Sequence, residues 1–434
     1  MSLFKKTLIK ILVFLSTAIL KKHKPFIIAI TGNLGKTTTK DSIAAAFAGQ
    51  DAYIASKKSL NSDIGIPLTI IGTSSGWRSV LKWLAIIWKG VKVYFARDYK
   101  KYLILEVGAD AKGDIENVTK YLHPNITVMT QFAEVPVHVE NFKDRSELIR
   151  EKKYLAEAIV DGGTFIYNSD CADSREMLES LSEDFAKRNI KVLSFGTKTA
   201  DIVATSIVNS VTNKKVSAKV ILKHDTKNIL NLECDGALGE SPIICALPAI
   251  MIADELNLDV YQSLESIKLS ERAPGRMRIL DGRNKSIIID DSYNSSPLAA
   301  MHGVKTVGDL KIIGRKIFVI GDMMELGKFT KEEHIKLGKQ IAKYAHILIT
   351  VGLRSRDVAE SAMDNGLGEG WVLQCDDAYE AGREVQQLLR SGDLVYLKGS
   401  QSMRLERATM MLLDESLKAK DYLPRQESEW LRRN

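Results

Sequence analysis

The decapeptide Thr31-Gly32-Asn33-Leu34-Gly35-Lys36-Thr37-Thr38-Thr39-Lys40 follows directly on the apolar run Phe26-Ile27-Ile28-Ala29-Ile30. This order reads as a strand, a phosphate-cradling loop and a helix start. In such a loop, backbone N–H groups and the positive end of the helix dipole converge on phosphate oxygens, while a Lys and a Thr reach the β/γ-phosphates and Mg²⁺. The expected nucleotide contacts are therefore Gly32, Asn33, Leu34, Gly35, Lys36, Thr37 and Thr38, with ATP as ligand. The spacing is a short form, T-G-x-x-G-K-T-T, because Ile30 stands where the longer loop has its first glycine. A glycine turn capping an ordinary helix would explain the glycines and threonines, but not the strand, Gly-Lys-Thr and helix in that order.

Apolar runs at Tyr102 to Val107, Ile126 to Thr130 and Thr164 to Tyr167 alternate with helical patterns, as in a parallel α/β sheet. From Asp201 to Leu232 the texture becomes short alternating segments, which predict a small antiparallel addition. The turn-rich Arg272-Ala273-Pro274-Gly275-Arg276 then leads into a second α/β series, with strands at Ser286 to Asp290, Lys316 to Ile320, Ala345 to Val351 and Asp393 to Leu397. For 434 residues, two or three domains are expected. The chain divides into an N-terminal apolar helix (1–24), a P-loop domain (25–272) and a C-terminal Rossmann-like α/β domain (273–434). The polar tail after Asp421 reads as loose.

The net charge of +7 is modest, but Lys5, Lys6, Lys10, Lys21, Lys22 and Lys24 crowd the N-terminus around the apolar stretch Thr7 to Leu20. That pattern suits an anionic membrane surface better than nucleic acid, and no nucleic-acid partner is expected. As a helix the stretch is about 21 Å long, short of the roughly 30 Å hydrocarbon core. An in-plane anchor is preferred over a core-packed helix or a cleaved signal peptide. An amphipathic insertion (75–97) sets Arg78, Lys82, Lys89 and Lys92 on one narrow helical face, with Trp77, Trp83, Trp88 and aliphatics elsewhere. It suits a membrane interface or packing against the first helix, and the two are compatible. Four cysteines without metal-binding or paired spacing indicate neither zinc nor a disulfide framework. The body is expected in the cytoplasm, at the inner face of the cell membrane.

Glu106 ends an expected strand beside the P-loop strand, where a carboxylate can serve Mg²⁺. His138 and the pair Lys152-Lys153 follow. Together with Leu60-Asn61-Ser62-Asp63-Ile64-Gly65-Ile66-Pro67, Leu105-Glu106-Val107-Gly108, Gly275-Arg276, Asp290-Asp291-Ser292-Tyr293-Asn294-Ser295-Ser296-Pro297, Gly321-Asp322-Met323-Met324-Glu325-Leu326-Gly327 and Lys398-Gly399-Ser400, these motifs resemble those of the Mur ligases. That family comprises ATP-dependent amide-bond ligases of peptidoglycan synthesis, and the resemblance runs from about residue 26 to about 415.

The resemblance implies that Lys36 and Thr37 hold the ATP phosphates and, with Glu106, one Mg²⁺. It implies that His138 and a carbamylated lysine at Lys152 serve a second Mg²⁺. Arg276 and Asn294 would contact nucleotide, with Asp291 nearby, while Asn61, Lys398 and Ser400 would face the substrates. The catalytic set is then Lys36, Lys152, His138 and Asn294. The reaction implied is activation of a muramoyl-peptide carboxylate as an acyl phosphate, then its capture by D-Ala-D-Ala or a similar amino compound. The domain that in the family holds the UDP end of the acceptor has no counterpart before the P-loop. A lipid-linked acceptor, or a partner chain that supplies recognition, is therefore expected. A ligase extending another polymer such as polyglutamate, or a non-catalytic ATP-binding scaffold, are the rival readings. In place of the family's His-Asn pair near the adenine the chain has Gly239-Glu240-Ser241-Pro242.

Overall fold

The computed structural model describes residues 3–48, 52–56, 60–77, 79–135 and 139–432. Two sheets organise the chain. The first contains β1 (Phe26–Thr31), β2 (Tyr53–Ala55), β3 (Tyr102–Glu106), β4 (Ile126–Met129), β5 (Thr164–Asn168), β6 (Lys191–Gly196), β7 (Ile202–Ser210), β8 (Lys215–Leu222) and β9 (Asp225–Asp235). Their order is β2-β3-β1-β4-β5-β6-β7-β8-β9, parallel as far as β7 and antiparallel over the last two pairings. The antiparallel strands continue the sheet, so they do not form a separate unit.

The second sheet contains β10 (Arg278–Gly282), β11 (Ser286–Asp291), β12 (Lys316–Gly321), β13 (Ile347–Val351), β14 (Val372–Cys375) and β15 (Leu394–Lys398), in the order β10-β11-β15-β12-β13-β14. Only β10 runs against its neighbour. The chain is thus mixed α/β with two mostly parallel sheets.

The central strands read as continuous apolar runs because helices cover both faces of each sheet. In β1, Ile28 and Ile30 point into one core with the helix Glu240–Glu255, whereas Ile27 and Ala29 point into the other. This second core receives α1 (Leu3–His23), which lies with α3 (Gly65–Ile71) and α4 (Val80–Phe95). Leu8, Leu12, Ser16, Ile19 and Leu20 of α1 are buried in it. The expected in-plane anchor is therefore corrected in part: one stripe of α1 is spent on the protein's own core. No helix among the described residues is long and apolar enough to cross a membrane.

Strand β1 lies between β3 and β4, with Ile30 opposite Glu106 and Thr31 opposite Met129. Connections leave in opposite directions there, which opens a crevice at the carboxyl ends of the strands. The carboxyl edge of the second sheet faces the same space, giving a cleft of about 1100 Å³ lined from both sheets.

Candidate active site

The loop after β1 turns at Gly32 (φ 138°) and enters α2 (Lys36–Ala46) through Gly35 (φ 84°). A Cβ on Gly32 would sit 2.0 Å from Thr130 Oγ1, and one on Gly35 would sit 2.6 Å from Cys245 Sγ. Only glycine meets both the backbone angle and the space. No side chain caps α2. Its first-turn N–H groups at Lys36, Thr37 and Thr38 lack helical acceptors and lie at the cleft wall, the arrangement that suits an anion. Asn33 and Leu34 differ from the expected cradle, because both donate their N–H groups to the Gln131 carbonyl (2.8 and 3.1 Å). They shape the loop from behind. The Lys36 ammonium curls over it, donating to the Gly32 and Asn33 carbonyls (2.9 and 3.3 Å). Burial pulls its pKa down, opposed by the charge of Glu106.

Glu106 is fixed at both oxygens. Thr37 Oγ1 donates to its Oε2 (2.9 Å), and Asn61 Nδ2 donates to its Oε1 (3.0 Å). Asn61, expected among the substrate contacts, thus orients this carboxylate at the cleft wall. From the second domain, Arg276 Nη2 donates to Thr37 Oγ1 (3.2 Å). One hydroxyl is therefore shared by a carboxylate that ends β3 and a guanidinium from the turn before β10.

Lys152 projects from the helix Arg145–Glu157, which starts at Asp144 with its side chain accepting from Glu147 N (2.9 Å). The neighbouring Glu151 is buried and accepts from the N–H groups of Gly113, Ile115 and Glu116 at 2.9, 2.6 and 3.2 Å. That lock fixes the rotation of the helix. Lys152 is consequently buried at the cleft, whereas Lys153 is half-buried and ion-paired with Glu157 at 3.8 Å. Desolvation, helped by the charge of Lys36, pulls the Lys152 pKa down to about 7. A large fraction of this amine is then neutral and nucleophilic at neutral pH.

On the second sheet, Asp291 stands opposite Lys398. Its Oδ2 accepts from Lys398 Nζ (2.6 Å) and from Tyr396 OH (3.1 Å), and Lys398 also donates to the Asn294 carbonyl (3.1 Å). Lys398 therefore braces the Asp291–Asn294 turn, and both turn residues line the cleft. Ser400 is buried, accepting from Met324 N (2.8 Å) and donating its own N–H to the Asp322 carbonyl (3.0 Å). It ties two loops together. His138 lies outside the described residues, as does Arg78 of the basic stripe. No cluster of three His, Cys, Asp or Glu groups suited to a metal occurs among the described residues.

Sequence reasoning missed the tail. Although polar, it is anchored: Arg425 is buried, donates to Glu406 Oε2 (2.9 Å) and to the Tyr293 carbonyl, and lies 5.3 Å from the Tyr293 ring centre. Arg276 lies 4.4 Å from the same ring, and Trp430 meets Trp77 edge to face at 6.2 Å. The paired Arg404 and Arg425 around Glu406 were the available signal, but pairing across 19 residues becomes visible only in three dimensions.

The donor set fits a magnesium nucleotide. Two hard oxygens, Thr37 Oγ1 and Glu106 Oε2, stand 2.9 Å apart beside free helix-start amides and a lysine. Mg²⁺ takes few protein oxygens and completes its shell with water and phosphate.

Comparison with known proteins agrees. Residues 90–243 match the Mur ligase middle domain, and residues 275–401 match the Mur ligase glutamate ligase domain. The UDP-N-acetylmuramoyl-tripeptide–D-alanyl-D-alanine ligase of Bacillus subtilis is 24% identical over 408 residues, covering 93% of this chain and 79% of that protein. The crystal structure of MurF ligase from Thermotoga maritima in complex with ADP superposes with a TM-score of 0.73 at 19% identity, covering 93% of this chain and 83% of that one. A Mycobacterium tuberculosis folylpolyglutamate synthase complexed with ADP and AMPPCP gives 0.62 at 13% identity, covering 92% and 94%. The motifs, the two sheets and these matches together establish that the chain belongs to the Mur ligase family.

Proposed function

We propose that this protein is an ATP-dependent amide-bond ligase of peptidoglycan precursor synthesis, joining D-Ala-D-Ala to the terminal carboxylate of a muramoyl tripeptide. The observation that carries the reading is the cluster Lys36, Thr37, Glu106 and Arg276, which draws both sheets onto one phosphate-binding loop.

In this reading the α2 amides and Lys36 bind the ATP phosphates, and Thr37 with Glu106 would hold Mg²⁺, which supplies charge neutralisation at the transferred phosphoryl group. The acceptor carboxylate takes the γ-phosphoryl group and becomes an acyl phosphate. The incoming amine then attacks the acyl carbon, and phosphate leaves. Lys36 and Arg276 balance the charge that spreads over the transferred group. Buried Lys152, with a large fraction of its amine neutral at neutral pH, is suited to add CO₂ and lose a proton. The resulting carbamate would place an anion where the chain offers a lysine, and the family resemblance would have His138 serve the same second metal. The acceptor is read as lipid-linked, or as presented by a partner chain, at the inner face of the membrane.

The test is ADP release measured with a muramoyl tripeptide and D-Ala-D-Ala together. Turnover should require both, and Lys36→Ala should abolish it. ATP binding without stimulation by any acceptor and amine pair would overturn the ligase reading, and stimulation by glutamate with a polyglutamyl acceptor would move it to another polymer.

A further inference from the structure

We propose that α4, with the adjoining face of α1, is a docking surface for an anionic lipid bilayer. The inference rests on the membrane-facing part of the proposed function and assigns it to specific residues. On α4, Trp83, Ile86 and Gly90 recur at three- and four-residue steps and are buried. Leu81, Leu84, Trp88 and Phe95 recur at steps of three, four and seven on another face and are 58–79% exposed. A helix needs only one apolar stripe to hold its place in a protein core. α4 carries a second, and no described residue covers it.

Charge names the occupant. No Asp or Glu occurs in residues 1–40 or 64–97, so the sequence of both helices is free of acidic groups. Lys82, Lys89 and Lys92 flank the exposed stripe and are themselves exposed, with the Lys92 ammonium 5.8 Å from the Trp88 ring centre. On α1, Lys6 and Lys10 are exposed beside Ile11 and Phe14. The two helices run side by side: Leu15 packs where a Cβ on Gly90 would fall (3.0 Å), and Lys22 donates to the Tyr94 carbonyl (2.5 Å). A helix with lysines beside an exposed Trp and Leu stripe lies in the plane of a bilayer, with its apolar side in the acyl boundary and its ammonium groups at phosphate level. At 16 residues, α4 is about 24 Å long. It is too short to span, and suited to lie flat.

Flotation of the full chain with vesicles decides this. The protein should float with phosphatidylcholine vesicles containing about a third phosphatidylglycerol and stay behind with phosphatidylcholine alone. Leu84→Glu/Trp88→Glu should abolish flotation. Lys82→Gln/Lys92→Gln should weaken it more than tenfold, at about fivefold per lysine. Both variants should keep ATP binding and the wild-type unfolding temperature. Absence of flotation with anionic vesicles, or flotation that survives both pairs of substitutions, overturns the proposal. A wild-type dimer in lipid-free solution that Leu84→Glu/Trp88→Glu converts to monomer also overturns it, by giving the stripe to a second copy. A Lys36→Ala chain should float like the wild type, so loss of the ligase reading and loss of the docking surface are separate results.

Discussion

At Gly32 the backbone angle and the adjacent Thr130 hydroxyl leave no room for a side chain. Gly32→Ala is therefore expected to weaken ATP binding by at least about tenfold, since about 1.4 kcal/mol of distortion suffices for that. Titration calorimetry with ATP checks it. Asp290 is a different case, because one carboxylate oxygen accepts from Thr409 Oγ1 (3.2 Å) and the other has no partner among the described residues. Burial pushes its pKa up to about 6. The folded protein then binds a proton more tightly than the unfolded chain, so this group's contribution is full below about pH 4 and is lost as pH rises through 6. Asp290→Asn should stabilise the protein at pH 7 by on the order of 2 kcal/mol, and hardly at pH 4. Thermal unfolding at the two pH values decides it.

Two elements bring their side chains to the cleft by contacts remote in sequence. The helix bearing Lys152 is held by the Glu151 carboxylate on the amides of Gly113, Ile115 and Glu116. The C-terminal tail braces Tyr293 through Arg425, and Tyr293 in turn lies under Arg276. Arg425 thus acts as a positioning residue. Arg425→Met should lower kcat and kcat/KM for ATP by similar factors, several-fold each, because the tail acts through Tyr293 on Arg276, which balances charge at the transferred group. Arg425→Lys should restore part of the loss, less than fully, since an ammonium cannot stack and bridge as a guanidinium does. A raised KM for ATP with kcat unchanged would show instead that the tail serves nucleotide binding alone.

For the whole molecule, α1 is a structural part of the first domain. Removing residues 1–24 would uncover the faces of α3 and α4 that α1 packs on, in the core that Ile66, Trp83 and Ile86 share with Leu8, Leu12, Ile19 and Leu20. Losing four buried aliphatic side chains costs several kcal/mol at roughly 1.5–3 kcal/mol each. The truncated chain should unfold at a distinctly lower temperature and bind ATP less well. An unchanged unfolding temperature would make α1 a separable appendage. Both sheets contribute to the cleft, so the site also depends on how the domains meet: Arg276 reaches Thr37 across 239 residues of sequence.

Local chemistry was legible from the sequence alone. A strand, a glycine turn and Lys36-Thr37 announce a phosphate loop because backbone angle and helix dipole are local properties, and apolar runs announced most of the strands of both sheets. The sequence left two readings open for α1 and α4, since an apolar stripe looks the same whether protein or lipid covers it. Only the tertiary structure divided α4 into a buried and an exposed stripe, locked the helix of Lys152 through Glu151, and folded the tail onto Tyr293. Each of those outcomes depends on which surfaces meet, and burial is set by neighbours that can lie hundreds of residues away.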